Sequence, residues 1–157
     1  MKNYILSIFL LAGLFLAGCS KQDTNCKTVI GTVPASEVTA LQQYLTTKGI
    51  AAEQDDRGFF YKIEAQGNGN FPTACSDVTV NYRGTLTDGT IFDENKNIRF
   101  NLGNLIKGWQ AGIPLISEGG KITLYLPPSL GYGATPTAGI PANSILIFSI
   151  DLIRVAD

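Results

Sequence analysis

No histidine occurs among the 157 residues, and only three cysteines do. Ser-His-Asp and Cys-His catalysis are thereby excluded. A zinc site would have too few soft ligands to draw on, so neither a metal nor a cofactor is expected. What the chain offers instead is rings. Tyr82, Phe92, Phe100, Trp109, Tyr132 and Phe148 fall in different segments. A sheet packed over a helix would gather several of them into an apolar concavity with Trp109 at its floor. Taken singly, each ring is read first as an ordinary core residue, and Phe100 is assigned to the core outright. Twelve Lys+Arg against thirteen Asp+Glu give a formal net charge of −1. That leaves no basic surplus for a phosphate backbone, so nucleic acid is not an expected partner.

The elements that must position these rings follow from patterning. Seventeen glycines and seven prolines in a chain that is 45% apolar indicate one turn-rich, strand-dominated domain. Ser36 is placed to cap a helix whose apolar residues Val38, Leu41 and Leu45 recur at helical spacing, and Gly49 can end it. This helix reads either as a support packed near the domain or as a mobile stalk. Phe59, Tyr61 and Ile63 alternate with Phe60, Lys62 and Glu64; Val78, Val80 and Tyr82 alternate with Thr79, Asn81 and Arg83. Asp88-Gly89 signals a hairpin turn, with Thr90-Ile91-Phe92 returning. Ile98, Phe100 and Leu102 form a further alternating strand. Asn104 is placed to cap a helix over Leu105–Ser117 carrying Ile106, Trp109 and Ile113, which Pro114 should interrupt or bend. Ile122, Leu124 and Leu126 make a strand stopped by Pro127-Pro128, and a long loop spans Ser129–Ser144. The heavily apolar Ile145–Val155 reads as the central strand. The sum is an α+β domain: an antiparallel sheet of about five strands wrapped over one short α-helix, plus a short N-terminal helix.

The N-terminus carries an address. Lys2 precedes an apolar run, Tyr4–Leu16, closer to the ~7–15 residues of a signal-peptide core than to the ~20 that span a bilayer. Leu16-Ala17-Gly18-Cys19 resembles the bacterial lipoprotein signature, whose cysteine becomes the lipidated first residue of the mature chain; a plain anchor or an ordinary signal peptide are the other readings. The resemblance implies a signal peptide over residues 1–18, lipidation of Cys19 and a tether over 19–35. A lipidated Cys19 would hold the protein at a membrane. Ser20 after Cys19 resembles the outer-membrane pattern of Gram-negative lipoproteins, which puts the protein in the cell envelope, on a periplasmic or surface face. Acylation of Cys19 leaves Cys26 and Cys75 in an oxidising compartment, and a disulfide between them is expected, two free thiols being the alternative. Its loop of roughly fifty residues would contribute about 4 kcal/mol by chain entropy.

A string of motifs then carries a family resemblance. Val80-Asn81-Tyr82-Arg83-Gly84-Thr85-Leu86-Thr87-Asp88-Gly89-Thr90-Ile91-Phe92-Asp93 resembles the FKBP-type peptidyl-prolyl isomerases. So do Phe100-Asn101-Leu102-Gly103, Leu105-Ile106-Lys107-Gly108-Trp109, Leu126-Pro127-Pro128, Gly131-Tyr132-Gly133-Ala134, Ile140-Pro141-Ala142-Asn143 and Leu146-Ile147-Phe148-Ser149-Ile150-Asp151-Leu152. The matches run in family order over about residues 59–155. They imply an isomerase domain over 59–157, preceded by a helix and connection over 36–58, and a strongly twisted sheet.

The resemblance further implies catalytic roles for Tyr82, Asp93, Tyr132 and Phe148, and substrate binding by Phe92, Ile98, Leu105, Ile106, Trp109 and Ile140. On that basis Trp109, Phe92, Phe148 and Ile140 cradle a prolyl ring. The Ile106 N–H and the Tyr132 hydroxyl hold flanking carbonyls, and Asp93, held by the Tyr82 hydroxyl, sits beside the twisting carbonyl. The implied partners are proline-containing unfolded or exported polypeptides, with rapamycin-like macrolides as alternative occupants. Three departures bear on substrate preference: Ile98 stands where phenylalanine is common, the segment between Gly103 and Leu105 is short, and Thr135-Pro136-Thr137-Ala138 lacks a histidine often found there. A non-catalytic module that holds prolyl segments, or a structural lipoprotein, are the rival readings.

Overall fold

The computed structural model describes residues 30–137 and 139–156. The signal peptide over 1–18, lipidation at Cys19, most of the tether and Cys26 lie outside the described residues. Helix α1 spans Ala35–Lys48. Pro34, and not Ser36, occupies its N-cap, and no side chain caps it. The Pro34 carbonyl instead accepts the N–H groups of Glu37 and Val38 at 3.0 and 3.3 Å, and proline's fixed φ suits a helix entrance. Gly49 ends the helix in the left-handed region at φ 64°, where a side chain would be strained.

Six strands form one sheet: β1 (Glu53–Gln54), β2 (Phe60–Ala65), β3 (Asp77–Thr85), β4 (Ile91–Asn101), β5 (Lys121–Leu126) and β6 (Leu146–Ala156). Their order is β1-β2-β5-β6-β3-β4, and every neighbouring pair is antiparallel. The sheet thus has one strand more than expected. The addition, β1, is two residues long and too short to show an alternation. β6 is central, between β5 and β3, as its apolar sequence suggests.

β4 is one continuous edge strand where two separate strands were expected. Val80 pairs with Ile98 and Tyr82 with Asn95, so Lys96 and Asn97 together oppose Asn81. Asn97 takes φ 52° and donates its N–H to Asn81 Oδ1 at 2.8 Å. This bulge resets the register, returning Ile98 and Phe100 to the inner face. Residues 93–97 are exposed, so no buried face imposes an alternation there.

Helix α2 is only Lys107–Gly112, flanked by 3₁₀ turns at Leu102–Asn104 and Ile113–Leu115. The expected helix over Leu105–Ser117 is therefore broken into short pieces, the last of which carries Pro114 near its start. Asn104 is not the cap. Asn101 accepts the Gly103 N–H at 3.1 Å and caps the preceding 3₁₀ turn, while Ile106 opens α2 with no side-chain cap.

The sheet is covered on both faces. On the inner face, α2 packs over a core that includes Phe59, Val80, Leu124, Leu146, Ile150 and Trp109. On the outer face, Leu41 and Leu45 of α1 are buried with Phe60 and Tyr125. Adjacent Phe59 and Phe60 thus serve opposite faces, and α1 is a support, not a stalk. Glu37 adds a polar link, accepting the Ser129 N–H at 2.9 Å. No helix among the described residues is long and apolar enough to cross a membrane.

Candidate active site

Where β3, β4 and β6 pass over the N-terminal end of α2, the inner face opens into a concavity of about 400 Å³. Tyr82, Phe92, Asp93, Ile98, Leu105, Ile106, Trp109, Tyr132 and Phe148 all line it. These are nine of the ten residues expected from the motif string at the site. Ile140 does not line it. That side chain is 4% exposed and belongs to the core, where the turn closed by the Thr137–Ile140 bridge places it. Phe100 and Asn95 line the concavity although neither was expected to. Phe100, assigned to the core, is half-buried, because the β4 bulge brings it to the concave side with Ile98.

Trp109 forms the floor, 4% exposed. Tyr82 and Phe148 each meet its ring edge-on with centroids 5.2 Å apart, and Phe100 does so at 6.0 Å. Phe92 and Phe148 meet edge-on at 5.4 Å. Edge-to-face contacts match the positive rim of one ring to the negative face of the next, and each adds stability beyond the area it buries. The buried indole Nε1 makes no hydrogen bond among the described residues, so ring packing alone fixes the floor.

Two glycine effects shape this wall. Gly84 of β3 lies opposite both Asp93 and Phe148. A Cβ there would sit 2.5 Å from Phe92 Cζ and 2.9 Å from Phe148 Cε1, so the two phenylalanines meet over a position only glycine leaves free. On α2, a Cβ at Gly108 or Gly112 would lie 2.3 Å from Leu126 Cδ1 or 2.5 Å from Leu124 Cδ2. The paired glycines let α2 settle directly on β5. Neither contact is visible in a sequence pattern, because glycine gives no periodic signal.

The polar side is sparse. The Tyr82 hydroxyl donates to Asp93 Oδ2 at 2.5 Å. Burial, and then the Asp93 carboxylate, push this hydroxyl well above the ordinary tyrosine range, so it remains a donor. Burial and the charge of Asp93 also raise Tyr132, which is 43% exposed at the rim. Its hydroxyl and the backbone N–H of Ile106 make no hydrogen bond to a described residue. The site therefore presents an apolar, ring-walled floor beneath one carboxylate, the Asn95 carboxamide, and the unengaged Tyr132 hydroxyl and Ile106 N–H. It has no base–nucleophile pair. What it suits is an apolar ring flanked by peptide carbonyls.

A second hollow, of about 510 Å³, adjoins the first at Tyr82 and Asn95 and is otherwise lined by Asn81, Arg83, Glu94, Lys96, Ser149 and Asp151. Arg83 pairs with Glu94 at 2.9 Å within it, and Asp151 pairs with Lys121 outside it at 3.1 Å. Away from both hollows, Cys75 is disulfide-bonded, and its partner lies outside the described residues.

Comparison with known proteins gives a consistent answer. The family model described as FKBP-type peptidyl-prolyl cis-trans isomerase matches residues 69–153. The chain is 40% identical over 120 residues to the FKBP-type peptidyl-prolyl cis-trans isomerase FkpA of Buchnera aphidicola subsp. Schizaphis graminum, covering 73% of this chain and 47% of that one. It is 37% identical over 118 residues to FkpA of Escherichia coli K12, covering 73% and 43%. The chain thus spans about half the length of the curated relatives it matches. Among solved structures, FkpA from Escherichia coli aligns with a TM-score of 0.69 at 36% identity, covering 78% of this chain and 58% of that one. A peptidyl-prolyl cis-trans isomerase from Pseudomonas syringae aligns with a TM-score of 0.69 at 28% identity, covering 81% and 100%.

Proposed function

The chain belongs to the FKBP-type peptidyl-prolyl cis-trans isomerase family, and on that footing we propose that its concavity catalyses rotation about Xaa-Pro bonds. The observation that carries this reading is the open, ring-lined hollow with the Tyr82–Asp93 pair at its edge.

Rotation breaks no covalent bond, so a site without nucleophile or general base suffices. The barrier of ~18–20 kcal/mol comes from amide resonance. A ten-thousand-fold acceleration needs it lowered by about 5.5 kcal/mol. The planar amide is the more charge-separated form and is the better solvated by water; the twisted amide carries less charge separation. A dry pocket of rings therefore disfavours the planar form relative to the twisted one. Trp109, Phe92 and Phe148 hold the prolyl ring, with Ile98 and Leu105 closing the wall. The Ile106 N–H and the Tyr132 hydroxyl take flanking carbonyls. Asp93, fixed by Tyr82, stands at the polar side of the twisting bond. Ile140 supports the wall from the core.

The full protein on this reading is a lipoprotein of the bacterial envelope, cleaved after residue 18, anchored through Cys19 in the outer membrane, and assisting the folding of exported proteins. Cys26 is the partner assigned to Cys75. Intact-mass measurement of the alkylated protein, with and without reductant, tests both assignments.

A protease-coupled assay on a prolyl peptide tests the activity. The wild-type chain accelerates isomerisation, and a rapamycin-like macrolide suppresses it by occupying the same hollow. Asp93→Ala and Phe148→Ala, folded by circular dichroism, lose most of the rate. Peptide binding without acceleration would convert the reading to a non-catalytic prolyl-binding module.

A further inference from the structure

Gln110 follows Trp109 on α2, is 7% exposed, and does not line the concavity. Its amide nitrogen donates to two carbonyls of the preceding loop, Leu105 O at 2.7 Å and Gly103 O at 3.2 Å. The first belongs to the same peptide unit as the Ile106 N–H. In a trans peptide the C=O and N–H point in opposite directions, and the described chain contains no cis bond. Anchoring the Leu105 carbonyl on Gln110 therefore aims the Ile106 N–H away from the helix core, on a segment whose side chains line the concavity. A carbonyl that accepts a hydrogen bond also polarises its amide, making the N–H a stronger donor.

The geometry points to Gln110 as a positioning residue for isomerisation, acting through the Leu105–Ile106 peptide to present the Ile106 N–H to a carbonyl of the bound prolyl segment. This rests on the functional reading above. The residue type fits the task, since one carboxamide nitrogen supplies two donors without a charge. A buried lysine would supply donors only at a large desolvation cost.

Gln110→Met keeps the length and removes both donors; Gln110→Leu is the second variant should the first not fold. Isomerisation is measured on a prolyl peptide and on analogues in which each carbonyl flanking the prolyl bond is replaced in turn by an alkene isostere. Gln110→Met is expected to slow the parent peptide by about tenfold, the scale of one misplaced hydrogen bond. It should have little further effect on the one analogue lacking the carbonyl that Ile106 engages. A merely structural glutamine would lower the melting temperature and slow every analogue by the same factor, overturning the assignment. Amide NMR separates this from the activity itself. In the wild-type chain, adding peptide moves the Ile106 proton downfield; in Gln110→Met the shift is lost. If the wild-type chain binds peptide without accelerating it, the isomerase reading fails while these spectra still decide the role of Gln110. An Ile106 proton indifferent to peptide in the wild-type chain would also overturn the assignment.

Discussion

The hydrogen bond from Tyr82 to Asp93, 2.5 Å long, joins the inner strand β3 to the edge strand β4 at the lip of the concavity. Without it, Asp93 stands exposed on an edge strand with nothing to fix its rotamer. Tyr82→Phe keeps the ring that packs on Trp109 and removes only the hydroxyl, so the fold should survive. The isomerisation rate should fall by about tenfold, in line with a lost bond to a charged acceptor, and the coupled peptide assay reads this directly. The same pair gives stability a pH dependence. Burial and Asp93 raise the Tyr82 hydroxyl above its ordinary value of 10.0, so the folded state holds its proton more tightly than the unfolded chain does. Its contribution is fully present below pH 10 and is lost as pH rises beyond it. Thermal melts across that window should show the wild-type chain losing its advantage over Tyr82→Phe as the solution becomes more alkaline. At this scale residue type and motif together were enough to locate Tyr82, Asp93 and Tyr132 at the concavity, their roles there remaining what the variants test. They were a poor guide to Ile140, Asn95 and Phe100, whose positions depend on a turn and a bulge that no single residue announces.

Elements were legible in proportion to how one-sided their burial is. β6 alternates from Leu146 to Leu152 because its inner face is packed, and β5 does so until Tyr125, which α1 buries on the outer face. β4 hid its continuity because it is an edge strand with five exposed residues in a row, and α2 hid its shortness because Pro114 and two glycines leave few positions for a helical repeat. Those glycines make a prediction in which two effects oppose each other. Replacing Gly108 by alanine improves helix propensity by about 1 kcal/mol. The added Cβ, however, would lie 2.3 Å from Leu126 Cδ1, far inside contact distance, and overpacking of this kind costs about 1–3 kcal/mol. The clash prevails, and Gly108→Ala should lower the melting temperature in calorimetry despite the better helix former. Gly84→Ala acts on the opposite wall. Its Cβ would lie 2.5 Å from Phe92 Cζ, so Phe92 must leave its contact with Phe148. Activity on prolyl peptides should fall severalfold, by more than the accompanying loss of stability accounts for; unchanged activity in a folded Gly84→Ala protein would mean that the Phe92–Phe148 contact is dispensable.

The two faces of the sheet divide the work of the whole molecule. The inner face holds the concavity, and the outer face is closed by α1 through Leu41 and Leu45 on Phe60 and Tyr125. Helical spacing gave α1 away, but not what it covers, because Tyr125 lies on a strand distant from α1 in sequence and its pairing with Phe60 is a property of the folded sheet. Leu41 is fully buried, so Leu41→Ala should cost about 2–5 kcal/mol through lost transfer energy and the cavity left behind. Denaturant melts read that loss. Because the substitution lies across the sheet from Trp109 and shares no contact with the ring cluster, its effect should be separable from that of Phe148→Ala, as independent sites are. The folded fraction of Leu41→Ala should isomerise prolyl peptides at the wild-type rate. The double variant with Phe148→Ala should show the two losses summed in stability, and only the Phe148 loss in rate. A slower rate in folded Leu41→Ala would mean that α1 reaches the concavity through β6, whose Ile147 packs with the α1 cluster while its neighbour Phe148 lines the site. Rigid close packing of that strand argues against such a reach, since a side chain removed from one face leaves the backbone ladder with β3 and β5 intact.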